Sequence, residues 1–213
     1  MRFDVAAERL SALPDPLPPP AAVMMPVVVG GSDLPIRTRS SAPGRHAAVL
    51  VLLYPDRRGD ARVVLIERTS GDGHHSGEVS FPGGKAEPED ADAATTALRE
   101  ANEEVALDPV AEGVRVVGLL ERMWIPVSDF EVTPVLALAE RAPTLSASPF
   151  EVARIVEPPV ARFLPGADVT MVERTIRDRP LRYGSYDLDG LSVWGTTARI
   201  LSQLGAVLEP AGD

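Results

Sequence analysis

The chain contains no cysteine. Disulfides, thiolate metal sites and cysteine nucleophiles are excluded, and the composition suits a reducing cytoplasm. Nor is there an apolar run approaching the ~20 residues needed to cross a bilayer. The opening stretch, MRFDVAAERL, lacks the apolar core of a signal peptide or membrane anchor. Positive charge is in deficit. Lys and Arg number 21 against 31 Asp and Glu, a formal net charge of −10. Long nucleic acid, itself a polyanion, would be repelled overall. A small anionic substrate is compatible if bound metal supplies local positive charge. The expectation is a soluble cytoplasmic protein with no membrane or nucleic-acid partner.

What is present is enough for a globular enzyme. The 213 residues are 45% hydrophobic and 24% charged, and such a chain buries a sizeable core without covalent staples. Residues 1–13 predict a short amphipathic helix with Val5, Leu10 and Leu13 as apolar contacts. The run PDPLPPP, Pro14 to Pro20, must end it. Residues 21–45 mix Pro, Gly, Ser and Arg and predict an irregular arm. The organisation is therefore an N-terminal helix and proline-rich arm over 1–45, then one folded domain over 46–213.

The continuous apolar run AAVLVLLY at 47–54 predicts a strand buried on both faces. A turn over Asp56 to Asp60 leads to a second strand, Ala61 to Glu67. Residues 70–78 predict a loop, and Val79 to Phe81 a short strand closed by Pro82-Gly83-Gly84. Further strands are expected at 114–122, 129–138, 168–175 and 181–193, with a turn near Arg177 to Pro180. A final helix is expected from Thr196 to Leu204. Strands around a central helix, with another helix at the end, predict a mixed sheet covered on both faces.

That central helix runs from about Asp92 to Ala106. Ala94, Leu98, Ala101 and Val105 form its apolar stripe. Asp90 or Asp92 suits its N-cap, and Asp108-Pro109 its end. Glu100, Glu103 and Glu104 stand at i, i+3 and i+4 and share a face, with the stripe on the other side. Clustered like charges are either a solvated acidic surface or a site for a hard divalent cation such as Mg²⁺ or Mn²⁺. Arg99, four residues before Glu103, can pair with it or with the preceding loop. Gly83-Gly84 just upstream either lets backbone approach a ligand closely or simply turns the chain.

The spacing Gly84-x5-Asp90-x8-Arg99-Glu100-Ala101-x-Glu103-Glu104-x-Ala106-Leu107 resembles the Nudix box, G-x5-E-x7-R-E-U-x-E-E-x-G-U, where U is apolar. Asp90 stands for the usual Glu, the next spacer is one residue longer, and Ala106 replaces the usual Gly. Residues 75–84, HSGEVSFPGG, look like the H-x-G-x-V-x-F-P-G-G segment of the coenzyme A pyrophosphatase branch. Thr96 to Ala101, Val132 to Val135 and Val193 to Ala198 are similar to that branch too. Glu67 and Gly73 depart from it, standing where Lys and Arg are usual, which implies weaker phosphate recognition there.

The resemblance covers roughly 45–205. It implies an α/β Nudix fold, an α/β/α sandwich around a central mixed β-sheet. It also implies metal-dependent hydrolysis of a diphosphate bridge, in coenzyme A or its derivatives giving 3′,5′-ADP and (acyl-)4′-phosphopantetheine. Glu100, Glu103 and Glu104 would hold Mg²⁺ or Mn²⁺. Glu103 or Glu104 would serve as base, with Glu151 as an additional candidate, and Arg99 would orient the site. Arg68, His75, Gly83 and Gly84 are the candidate substrate contacts. Trp194 with Tyr183 and Tyr186 either stacks a base or packs in the core. The alternatives are a Nudix pyrophosphatase for ADP-ribose, a dinucleotide or a modified nucleoside triphosphate, and a non-catalytic nucleotide-binding module. The implied assembly is a monomer or homodimer.

Overall fold

The computed structural model describes residues 1–30, 44–69, 77–125, 128–176 and 179–209. His75, Gly73 and part of the turn expected at Arg177 to Pro180 lie outside the described residues.

Helix α1 (Phe3–Leu10) opens the chain, followed by a 3-10 turn at Ala22–Met24. Strands β1 (Val27–Val28), β2 (Arg45–Pro55), β3 (Ala61–Val63), β4 (Leu65–Arg68), β5 (Val79–Ser80) and β6 (Gly83–Lys85) precede helix α2 (Ala93–Val105). Then come β7 (Arg115–Leu119), β8 (Met123–Ile125), β9 (Phe130–Leu138) and β10 (Val152–Val156). A second 3-10 turn at Val160–Phe163, β11 (Thr170–Ile176), β12 (Arg179–Leu188), β13 (Leu191–Val193) and α3 (Gly195–Val207) complete it.

The apolar run at 47–54 is the centre of the molecule. β2 pairs parallel with β9 over nine residues, Arg45↔Phe130 to Leu53↔Leu138. β3 and β6 flank β2, and β7 and β8 flank β9, all antiparallel. Because strand side chains alternate, β2 feeds two cores. Ala48, Leu50, Leu52 and Tyr54 point to α2 with Val135 and Ala137 of β9. Val51 and Leu53 point the other way, with Leu136 and Leu138, to α1 and α3. This is the expected α/β/α sandwich around a mixed sheet.

Several expectations are corrected. In α1 the buried residues are Phe3, Ala6 and Leu10, while Val5 faces solvent; Leu13 is only partly buried. The second strand is broken at Val64. β3 belongs to the central sheet, whereas β4 pairs with β10 and β5 in a separate antiparallel sheet. Ala61 and Val63 to Ile66 are all buried, so the apolar run is continuous across the break and hides the crossing. Gly83–Lys85 is a strand on β2 as well as a turn. The arm is partly regular: β1 pairs with β12, and Met24 is buried.

The arm is also tied to α3. Ala21 N–H donates to Ser202 Oγ at 2.9 Å. The buried Gln203 donates to Pro18 O at 3.1 Å and accepts from Glu121 N–H at 3.1 Å. Among the described residues no helix is long and apolar enough to cross a membrane.

Leu10 joins α1 to the core shared with α3 and is fully buried. Leu10→Ala is expected to lower unfolding stability by about 3 kcal/mol through the cavity left behind. Denaturant titration checks this; an unchanged midpoint would mean that α1 does not contribute to the core.

Candidate active site

Helix α2 is positioned by its cap. Asp92 is extended and its Oδ1 accepts from Thr95 N–H at 2.7 Å, satisfying one of the helix's unpaired donors. Asp90 does something else. Its carboxylate accepts from Arg99 Nε at 3.2 Å, Arg99 Nη2 at 3.1 Å, the Thr96 hydroxyl at 2.9 Å and Glu87 N–H at 2.9 Å. Led by the Arg99 hydrogen bond, these contacts hold its pKa down to about 2. The helix ends at Ala106, left-handed with φ 54°. Glycine suits that conformation better, so this is the cost of the Ala106 departure from the box.

Arg99 is the hub of the acidic cluster. Beyond Asp90, its Nη1 donates to Glu100 Oε1 at 3.1 Å and Glu103 Oε1 at 3.2 Å, and its Nη2 to Lys85 O at 3.0 Å. It thus reaches both Glu103 and the preceding loop. The Asp90 hydrogen bond is the largest cause raising its pKa further, so it is a permanent cation.

The three glutamates do not sit opposite the apolar stripe, as the sequence suggested. Glu104 is fully buried, in line with Ala97, Ala101 and Val105. Glu100 is half-buried, while the Glu103 side chain is 53% exposed. Helix geometry explains the graded burial. At about 100° per residue, Glu104, Glu100 and Glu103 lie roughly 20°, 60° and 120° from the direction of Ala97.

Burial of Glu104 is met by two partners. Gly83 N–H donates to Oε2 at 2.8 Å. Arg68 Nη1 lies 3.0 Å from Oε1, yet Oε1 receives no hydrogen bond of good geometry and is a buried acceptor without one. The ion pair is therefore a Coulombic contact rather than an aligned hydrogen bond. Desolvation dominates and pushes the Glu104 pKa up to about 7, against Arg68 and the Gly83 N–H, with Glu100 and Glu151 raising it further. Glu100 is raised as well, first by desolvation, against Arg99, and then by Glu103 and Glu151.

The glycine pair is required by close approach. A Cβ on Gly83, at φ 154°, would stand 2.4 Å from Ala48 O. A Cβ on Gly84 would stand 2.4 Å from the Glu100 carboxyl carbon. At Gly84 the obstacle is the mobile end of a side chain, so a methyl there would displace the carboxylate more than it would disturb the fold.

Among the described residues no three acidic or histidine side chains form a ready-made cation cage. Arg99 joins Glu100 to Glu103, and Arg68 stands against Glu104. The donor chemistry nonetheless fits a hard divalent cation. The Glu104 Oε1, which accepts no hydrogen bond, and the desolvated Glu100 carboxyl are oxygens whose ionised forms a cation would stabilise.

Glu67, read as a loss of phosphate contact, pairs instead with Arg154 at 2.6 Å across β4 and β10. It is the neighbour of Arg68 on a strand, where successive side chains alternate. Arg154 is the compensating cation that the sequence reading missed. That reading also left the loop over 145–152 without structure. Ser148 N–H donates to Glu104 O at 2.8 Å, Thr69 N–H to Glu151 O at 3.0 Å and Thr69 Oγ1 to Phe150 O at 3.1 Å. No local sequence signal announces such a lacing. Tyr186 packs edge-on to Phe163 at 5.0 Å, and Tyr183 stacks on Trp194 at 5.2 Å; both tyrosines are buried.

Helix α2 thus carries its carboxylates over the mixed sheet and against the glycine pair. The NUDIX domain family model matches residues 44–148. An uncharacterised Nudix hydrolase, NudL, of Cronobacter sakazakii is 38% identical over 179 residues, covering 80% of this chain and 86% of that protein. The chain therefore belongs to the Nudix family. Nudix hydrolase 22, chloroplastic, of Arabidopsis thaliana is 37% identical over 184 residues, covering 83% of this chain. The match spans only 58% of that plant relative's length. A NUDIX hydrolase from Alicyclobacillus acidocaldarius superposes with a TM-score of 0.51 at 17% identity, over 80% of this chain and 95% of that one. This last likeness concerns the fold alone.

Asp90 makes a pH-dependent contribution with a defined sign. Its folded pKa, about 2, is below the usual 3.8. Its stabilisation is therefore fully present above about pH 4 and disappears as pH falls toward 2. Asp90→Asn is expected to lower the melting temperature above pH 4, with the deficit closing toward pH 2. Thermal melts across that range test it; a deficit that grows in acid would contradict the assignment.

Proposed function

We propose that this chain is a metal-dependent pyrophosphatase that cleaves the diphosphate bridge of a nucleoside-diphosphate-linked small molecule. Coenzyme A and its derivatives are the preferred substrates, giving 3′,5′-ADP and (acyl-)4′-phosphopantetheine. The observation that carries this reading is Glu104, a fully buried carboxylate with one unfilled oxygen, set against the Gly83 N–H and beside Glu100. A binding-only module has no need of a desolvated carboxyl group at this point.

Nudix hydrolases generally use divalent ions such as Mg²⁺ or Mn²⁺. Here Glu100, Glu103 and Glu104 would hold the ion. When bound, such an ion polarises phosphoryl oxygens and lowers the pKa of its water. The remaining work belongs to the chain. Glu104 or Glu103 accepts the water's proton, with Glu151 as a further acidic group facing the pair. Arg99 is a positioning residue that holds Glu100 and Glu103 in place while anchored on Asp90. Arg68, 3.0 Å from Glu104 Oε1, would be the cation within reach of a substrate phosphate oxygen. The backbone at Gly83 and Gly84 and the side chain of His75 complete the substrate contacts. We place the catalytic domain at 46–213 and the protein in the cytoplasm, as a monomer or homodimer.

The resemblance of 75–84 and 96–101 to the coenzyme A branch supports that substrate over ADP-ribose, a dinucleotide or a modified nucleoside triphosphate. A product assay with Mg²⁺ and with Mn²⁺ on coenzyme A, acyl-coenzyme A, ADP-ribose, NADH and nucleoside triphosphates is the test. Coenzyme A should lead, and turnover of no member would overturn the enzyme reading. Glu104→Gln should lower turnover by about 100-fold or more. Near-wild-type rates would place the site elsewhere.

A further inference from the structure

Phe150 is 87% exposed. Isolated apolar residues at a surface are ordinary, but this one stands in a loop tied by hydrogen bonds to the backbone of Glu104 and to Thr69. Its own carbonyl accepts the Thr69 hydroxyl at 3.1 Å. Thr69 N–H donates to Glu151 O at 3.0 Å, and Ser148 N–H donates to Glu104 O at 2.8 Å. Within the loop, Val152 N–H closes on Ser148 O at 2.9 Å. Ser148, two residues before Phe150, is thus bonded to the backbone of Glu104, and Glu151, directly after Phe150, to the residue after Arg68. The Glu151 carboxylate beside it is near enough to raise the pKa of both Glu100 and Glu104.

We propose that Phe150 is a specificity-determining residue, the stacking surface for the purine base of the substrate. The surrounding charge selects the occupant. A phosphate on Phe150 would sit beside the Glu151 carboxylate, and the ring offers it no donor. A base is uncharged, planar and apolar on its face, and stacking on a ring needs no hydrogen-bond partner. The fixed backbone matters too, because a surface already in place loses little conformational freedom when the ligand lands. The assignment rests on the hydrolase reading for the identity of the ligand, while its test does not depend on turnover.

The experiment compares wild type, Phe150→Ala and Phe150→Trp in two assays. In the first, AMP and ribose 5-phosphate are titrated by calorimetry without hydrolysis. AMP affinity should fall about tenfold in the Ala variant and return in the Trp variant, while ribose 5-phosphate, lacking the base, should not distinguish the three proteins. In the second, kinetics on any panel substrate that is turned over should show KM raised about tenfold in the Ala variant, with kcat within about twofold. AMP binding that is indifferent to the substitution overturns the proposal, and so does a loss that Trp does not restore. A change in oligomeric state by light scattering without a change in AMP binding would overturn it as well, showing that the ring meets a second copy. If no panel member is hydrolysed, the hydrolase reading fails while the AMP titration still decides the role of Phe150.

Discussion

Everything at this site depends on keeping one carboxylate out of water. An unpaired charge in the interior is very costly, and Glu104 is fully buried. Two elements must reach it: β6, which brings the Gly83 N–H, and β4, which brings Arg68. The glycine pair, the break at Val64 that frees β4 from the central sheet, and the lacing of 148–152 onto α2 all serve that convergence. None would matter if Glu104 faced solvent. The compensation is incomplete, since one oxygen is left without a hydrogen bond. That unsatisfied oxygen is where a bound cation would relieve the cost of burial.

Arg99 shows how an acidic protein maintains such a cluster. It contacts Asp90, Glu100 and Glu103 at once. Glu100 and Glu103 on one helix, with Asp90 just before it, would oppose folding if left alone; a single planar guanidinium with five donors links them instead. A lysine could not hold Asp90 through two nitrogens while reaching both glutamates, so the choice of arginine is a geometric one. Asp90 takes the anchoring role, which leaves the helix cap to Asp92.

Much of this was legible in the sequence. The run at 47–54 marked the central strand, because only a strand covered on both faces is apolar throughout. The i, i+3, i+4 glutamates and the upstream glycines marked the cluster, and Arg99 was placed correctly between Glu103 and the loop. What the sequence hid was orientation. The stripe Ala94–Leu98–Ala101–Val105 seemed to define the inner face, but the buried direction passes through Ala97, which brings Glu104 inside. A glutamate in an amphipathic pattern reads as outward by default, and only its partners on β4 and β6, distant in sequence, reverse that. The partnership of Glu67 with Arg154 was hidden for the same reason, 87 residues separating them.

The amide of Gln203 has a consequence outside catalysis. It is buried on α3 and is satisfied on one side by Pro18 and on the other by Glu121. Freeing the proline-rich segment would expose the amide's donor side. The segment therefore has no cheap way to fray. Releasing the segment would break its hydrogen bonds to α3, so the arm and the last helix are expected to loosen together.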